Sequence, residues 1–154
     1  MKYSGRISES DYIAAQYLHF KPKKIFTIVG MVLIFLLIIV LIFSFSWILL
    51  GSIAYFLGLY YIFLPWKAAK TYRQYQAIQE PITIELKDSG IYSENKNGSS
   101  IIEWHTIRKI KRNEKLLLVY PADSIFHIFP NHFFENDKEF YDFAERIKSK
   151  HETT

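Results

Sequence analysis

IFTIVGMVLIFLLIIVLIFSFSWILLGSIAYFLGLYYIFLPW, residues 25–66, holds no charged side chain in 42 positions. One helix of that length would run about 63 Å, twice the roughly 30 Å of a bilayer's hydrocarbon core. The run divides naturally into two spans, 25–43 and 47–64, each close to the ~20 residues a crossing takes. Ser44-Phe45-Ser46 is too short a connection to hold a folded domain. The two spans therefore predict a tight antiparallel transmembrane hairpin over 25–66 with both chain ends on one side. Lys21, Lys23 and Lys24 precede it, Lys67, Lys70 and Arg73 follow it, and the connection carries no cation. The positive-inside rule then puts both ends in the cytoplasm, with the hairpin in the inner, or plasma, membrane. Trp47 and Trp66 bracket the second span at interfacial positions, and Pro65 falls at its cytoplasmic edge, where a kink is tolerated.

Composition agrees with that division. The chain has 154 residues, 50% hydrophobic, no cysteine and a formal net charge of +4. Residues 1–79 carry eight Lys/Arg against two acids, and residues 80–154 carry eleven against thirteen, so the positive excess lies entirely in the first half. This pattern excludes an ordinary soluble globular protein, a disulfide-stapled secreted domain and a disordered chain. A cleaved secretory signal fits poorly: the first 24 residues are mostly polar, the apolar stretch is too long, and no A-x-A-like site follows it. No Asp, Glu, Lys, Arg or His lies inside either span, which argues against a transporter or pump. Gly51, Ala54 and Gly58 share one face of the second span. Small residues let helix backbones approach closely. The face suits packing against the first span, or pairing of two copies in a homo-oligomer.

Either side of the hairpin the pattern changes. In residues 1–24, Ser8 and Asp11 have capping-box spacing, and Ile13, Ala14, Tyr17 and Leu18 share a face, which predicts a short amphipathic helix on the membrane surface. Residues 67–80 read as a helical stalk ending at Pro81. From Ile82 the residues alternate, as half-buried strands do. Turn signals at Asp88-Ser89-Gly90, Asn97-Gly98, Asn113-Glu114 and Pro121-Ala122-Asp123 divide the stretch into about six strands of an antiparallel meander. The last helix is capped by Asn136 or Asp137 and carries the stripe Phe140, Phe143, Ala144 and Ile147. The fold class is thus an α+β membrane protein: a two-helix hairpin, then a small β domain over 81–150 closed by a C-terminal helix, with 151–154 a frayed tail.

Four stretches resemble the YcxB-like family of small bacterial membrane proteins. SESDYIAAQYLHFKPKK resembles the family's opening. ITIELKDSGIYSE resembles the start of the family's C-terminal domain, and in IIEWHTIRKI Trp104 with Ile107 and Ile110 fits its W-x-x-I-x-x-hydrophobic pattern. In HIFPNHFFENDKEFYDFAERIK, Pro130 with Phe133 fits the turn before the last helix. The resemblance implies a C-terminal domain similar to pleckstrin-homology domains, a bent sheet capped by a helix, and it implies no catalytic residue.

Chemistry-bearing motifs are absent from the sequence. Without cysteine, thiol catalysis and cysteine metal sites are excluded. The histidines at 19, 105, 127, 132 and 151 form no H-E-x-x-H pair, and His127 and His132 alone are too few for a metal site. No phosphate-cradling glycine loop or nucleophile elbow occurs. No enzyme, cofactor or metal is expected. Trp104 reads as a core residue with its N–H satisfied at a strand edge. The surface feature of interest is the cluster Arg108, Lys109, Lys111, Arg112 and Lys115, which would touch anionic lipid headgroups or a partner beside the membrane. Nucleic acid is not expected, because the domain is net negative. The expected function is a non-catalytic, membrane-anchored binding or scaffolding protein. The alternative is a small regulatory or immunity-type subunit acting on another membrane protein through its hairpin.

Overall fold

The computed structural model describes residues 2–22, 24–44 and 47–152, with the side chains at 24, 41–44, 49 and 152 left aside. Lys23, the Phe45-Ser46 part of the connection and the Thr153-Thr154 end of the tail lie outside the described residues. Chain order is β1 (Lys2–Gly5), α1 (Glu9–Phe20), α2 (Lys24–Ser44), α3 (Trp47–Gly58), a π-helical turn (Leu59–Phe63), α4 (Leu64–Gln74) and α5 (Gln76–Gln79). Six strands follow: β2 (Ile82–Lys87), β3 (Gly90–Asn95), β4 (Gly98–Glu103), β5 (Lys109–Arg112), β6 (Leu116–Ala122) and β7 (Ile125–Pro130). α6 (Asp137–Glu152) ends the chain. The chain forms two compact units, one of Phe20–Ala68 and one of Met1–His19 with Ala69–Thr154.

The second of these units is α+β, with two antiparallel sheets in the strand orders β1-β2-β3-β4 and β5-β6-β7. The six expected strands are present, but they divide between two sheets, and the first sheet gains a fourth strand from the N-terminus. Lys2 to Gly5 pair with Glu85 to Ile82. The sequence reading sets residues 1–24 apart from the β domain; here Met1–His19 is part of it. The capping box forms as read: the Ser8 N–H donates to Asp11 Oδ2 at 2.9 Å, and the Asp11 N–H donates to Ser8 Oγ at 3.1 Å. The apolar face of α1, however, meets protein. Ala15 and Leu18 are buried with Leu116, Leu118, Tyr120 and Ile128 of the second sheet. Periodicity shows that a helix has an apolar face and not what covers it.

A larger core lies between the sheets and α6, around Ile84, Ile91, Leu117, Phe129, Phe140, Phe143 and Ile147. Asn136 is the cap of α6, accepting the Glu139 N–H at 2.9 Å. Trp104 is core, its indole N–H donating to the Asp88 carbonyl at 2.9 Å. Pro121, read as a turn residue, sits inside β6, where the register to β7 slips between Val119 and Ala122. A residue without an N–H is tolerated at such an irregularity.

The expected stalk is broken. α4 stops at Gln74, Tyr75 leaves the helical region (φ −99°, ψ 87°), and α5 follows. Gln79 Nε2 donates to the Tyr72 carbonyl at 2.8 Å, which satisfies a helix-end acceptor. Tyr72 donates its hydroxyl to the Ile7 carbonyl, and Arg73 forms a two-point pair with Glu9 at 2.9 and 3.0 Å.

In the other unit α2 is 21 residues long. After α3 the chain passes through the π turn, where the Leu64 N–H reaches back to the Leu59 carbonyl. Pro65 follows directly. Its ring would clash with the carbonyl four residues back, and a π turn shifts that carbonyl aside. No single helix among the described residues is long and apolar enough to cross a membrane. The small-residue face is also not packed as expected. Among the described residues, no atom beyond its own helix lies within 4 Å of where a Cβ at Gly51 or Gly58 would stand.

Candidate functional site

β5 reads Lys109-Ile110-Lys111-Arg112, and strand alternation sends odd and even members to opposite faces. The basic cluster is thereby divided. Lys111 Nζ donates to the Leu18 and His19 carbonyls at 3.1 and 2.6 Å, closing the C-terminal end of α1. A cation suits that position, where the last carbonyls lack partners and the helix dipole is negative. Lys109 Nζ lies 5.4 Å from the centre of the Tyr120 ring. On the opposite face, Arg112 Nη1 donates to Glu145 Oε1 at 3.1 Å, and its guanidinium lies 4.9 Å from the Tyr141 ring. Arg108 spends its backbone N–H on the Tyr120 carbonyl at 2.8 Å, and Lys115 is exposed in the following turn. The five cations do not form one patch, because a strand cannot present consecutive residues to one side.

Replacing Lys111 by Met removes a charged cap that also ties β5 to α1. The expected loss is about 1.5–3 kcal/mol, the range for a hydrogen bond to a charged group. A urea titration of the full chain in detergent would read it. An unchanged midpoint would show that the two carbonyls need no donor.

Arg112 instead belongs to a groove of about 310 Å³ beside the last helix. Leu117 and Ala144 are buried beneath it, and Ile110 is half-buried in its wall. Arg112, Glu145, Lys148 and His151 form its rim. Lys148 and His151 follow Ala144 at helix spacing; that i, i+4, i+7 series was the signal in the sequence for this face of α6.

A second cleft, of about 350 Å³, lies against sheet residues of β3 and β4 and reaches His127. Its wall carries Ser93 and Ser100, whose hydroxyls are 2.8 Å apart, and Asn95, which accepts the Asn97 N–H at 2.9 Å. Burial holds the His127 imidazole below its usual pKa. His132 is elsewhere, its Nε2 3.3 Å from the Arg6 carbonyl and 3.7 Å from Asp11 Oδ2. Among the described residues no three His, Cys, Asp or Glu converge to hold a metal.

His19 was not singled out in the sequence. Its Nδ1 is 3.0 Å from the Tyr120 hydroxyl and its ring stacks on Phe126 at 5.0 Å. Burial, then the charges of Lys111 and Lys109, lower its pKa. Both His19 and His127 thus bind a proton more readily in the unfolded chain, where their reference value is 6.5. Their contribution to stability is complete above that value and is lost as pH falls below it. The urea midpoint should therefore hold at mildly alkaline pH and drop between about pH 7 and pH 5. Replacing both histidines by Gln should flatten that drop, and a drop that persists unchanged would assign it to other groups.

Residues 86–144 match the family model described as YcxB-like protein. The match runs from β2 into α6 and contains β5 and the groove residues Ile110, Arg112, Leu117 and Ala144. It is narrower than the resemblance in the sequence motifs, since residues 1–85 lie outside it. No curated protein and no solved structure matches the chain.

Proposed function

We propose that the protein is a non-catalytic, membrane-anchored binding or scaffolding protein that presents a pleckstrin-homology-like module at the cytoplasmic face of the cell membrane. The observation that carries this reading is the apolar exposure of Phe20–Ala68. Side chains as large as Phe26, at 65%, and Ile62, at 72%, stand exposed along α2 and the π turn. Exposed apolar patches on a water-soluble monomer rarely exceed a few hundred Å². A bilayer accounts for such a surface without any further partner, and the cations flanking 25–66 favour cytoplasmic ends. Two antiparallel sheets with one closing helix support the module, and a groove beside that helix supports binding.

The test is topological. Protease added to inside-out vesicles should digest residues 81–152, and protease added to intact cells should spare them. The reverse pattern, or a chain released by carbonate washing, removes the anchor and the reading with it.

One observation favours a second reading, a regulatory or immunity-type subunit that acts through the hairpin. Among the described residues nothing stands within 4 Å of where a Cβ at Gly51 or Gly58 would be, which leaves this face for another helix, from a second copy or from a different membrane protein. Gly51→Leu with Gly58→Leu should then abolish the activity while leaving membrane insertion intact. A phenotype that survives both changes would return the function to the cytoplasmic module.

A further inference from the structure

We infer that the outer edge of β4 is an interface between two copies of this chain, which join as antiparallel strands about a two-fold axis at Ile101. The inference goes beyond the reading above and holds with or without the anchor. β4 is an end strand of its sheet. Just past it the Trp104 N–H donates to the Ser89 carbonyl at 3.4 Å, and the register sets Ile102 against Ile91 and Ser100 against Ser93. In an antiparallel pair, alternate residues turn their N–H and C=O to the neighbour. Gly98, Ser100, Ile102 and Trp104 therefore face β3, while Ser99, Ile101 and Glu103 turn theirs outward. Among the described residues no strand takes them up. Thr106 donates its hydroxyl to the Glu103 carbonyl at 2.8 Å, which leaves that oxygen a second lone pair.

Proteins guard a free strand edge with lysines, prolines or a covering segment. β5, an end strand of the other sheet, carries Lys109, Lys111 and Arg112. β4 reads Gly-Ser-Ser-Ile-Ile-Glu, with no cation and no proline, and Ser99, Ser100 and Ile101 are exposed. Such an edge invites another strand. Its side chains select which one. A residue on a two-fold axis meets its own copy, so it must suit itself. Ile101, the middle one of the three outward residues, does so, whereas Glu103 would repel its copy. Centring on Ile101 sets each Glu103 opposite the neutral Ser99 of the other copy and uses every outward donor and acceptor. Tyr92 stands beside Ile101 on β3, and opposed residues of a ladder share a face. Ile101, 42% exposed in the single chain, is then covered by its copy with a Tyr92 on either side. The remaining Gly and Ser side chains offer a foreign strand little surface to recognise.

The chain has no cysteine of its own, so an introduced one reports alone. The full chain, in membrane vesicles and in detergent, is oxidised with copper–phenanthroline and run on a non-reducing gel. Ile101→Cys should form a disulfide dimer, because opposed residues that exchange hydrogen bonds have Cα atoms about 5.5 Å apart, within disulfide reach. Ser99→Cys or Glu103→Cys alone should crosslink at least tenfold more slowly, since each lies about 14 Å along the strands from its copy. The two changes combined should restore the dimer. In that double variant, Ile101→Pro removes the outward N–H without touching the β3 ladder, and Ile101→Lys sets two ammonium groups on the axis. Each should cut crosslinking at least tenfold, and the lysine variant decides if proline lowers the urea midpoint. No dimer from Ile101→Cys in either medium, equal rates from the three single cysteines, or crosslinking that survives Ile101→Lys overturns the inference. So does an adduct of Ile101→Cys with a different protein in place of the dimer, since the edge would then serve a foreign strand. Carbonate washing of the same vesicles tests the anchor separately. A chain that washes off yet crosslinks in detergent removes the anchor and keeps the pairing, and a retained chain without the dimer does the reverse.

Discussion

A chain lacking residues 1–22 is expected to lose the fold of its C-terminal half. β1 covers the edge of β2, and α1 covers Leu116, Leu118, Tyr120 and Ile128. Each of these side chains, returned to water, forfeits about 1.5–3 kcal/mol. Four such losses rival the whole stability of a small domain, about 5–15 kcal/mol. Lys111 would also lose the two carbonyls it caps, and Tyr72 its acceptor at Ile7. Residues 69–152 alone should therefore show broad proton resonances and rapid proteolysis. The counterpart is a chain in which residues 2–20 are joined to 69–152 by a flexible linker of about twenty residues, with a root-mean-square reach of about 25 Å. That chain should recover dispersed resonances and a cooperative urea transition. A well-folded 69–152 would show that α1 and β1 are ornaments of an independent domain.

Gly90→Ala should be among the most damaging single methyl additions in the β unit. Gly90 opens β3 opposite Glu103 of β4. A Cβ there would overlap the Ile102 carbonyl oxygen and stand 2.8 Å from its carbon and 2.9 Å from Glu103 Cα. These are backbone atoms in a paired strand and cannot swing aside as a side-chain end does. The expected cost is about 3 kcal/mol or more, the upper end for overpacking, read as a fall in the urea midpoint. Gly98→Ala is the contrast. Gly98 holds φ at +145° in the β3–β4 turn and has open space around it. Its substitution costs backbone strain without a clash, about 1–3 kcal/mol. Equal effects at the two positions would mean that the β3–β4 ladder opens to accept the methyl group.

Much of the β unit is written in short-range pattern. The alternation from Ile82, the Asn97-Gly98 turn, the Ser8–Asp11 box and the Phe140–Ile147 stripe each depend on residues within a turn or two of one another. Each has its counterpart in the structure. The groove was half legible: Arg112 stood out by charge, while its place with Lys148 and His151 depended on how β5 lies beside α6. Lys2–Gly5 was not legible at all, for four residues with one aromatic carry no strand signal of their own.

What the sequence determined by itself was therefore the kind and approximate extent of most elements, and the uncharged stretch between them. Tertiary structure alone decided that the N-terminus completes the β unit, that β6 and β7 lie beneath α1, and that the five cations of 108–115 part company. Local periodicity is set by covalent neighbours and backbone geometry, so it survives in the order of residues. Which distant edge or face a segment covers is set by complementarity between surfaces that exist only once both have folded.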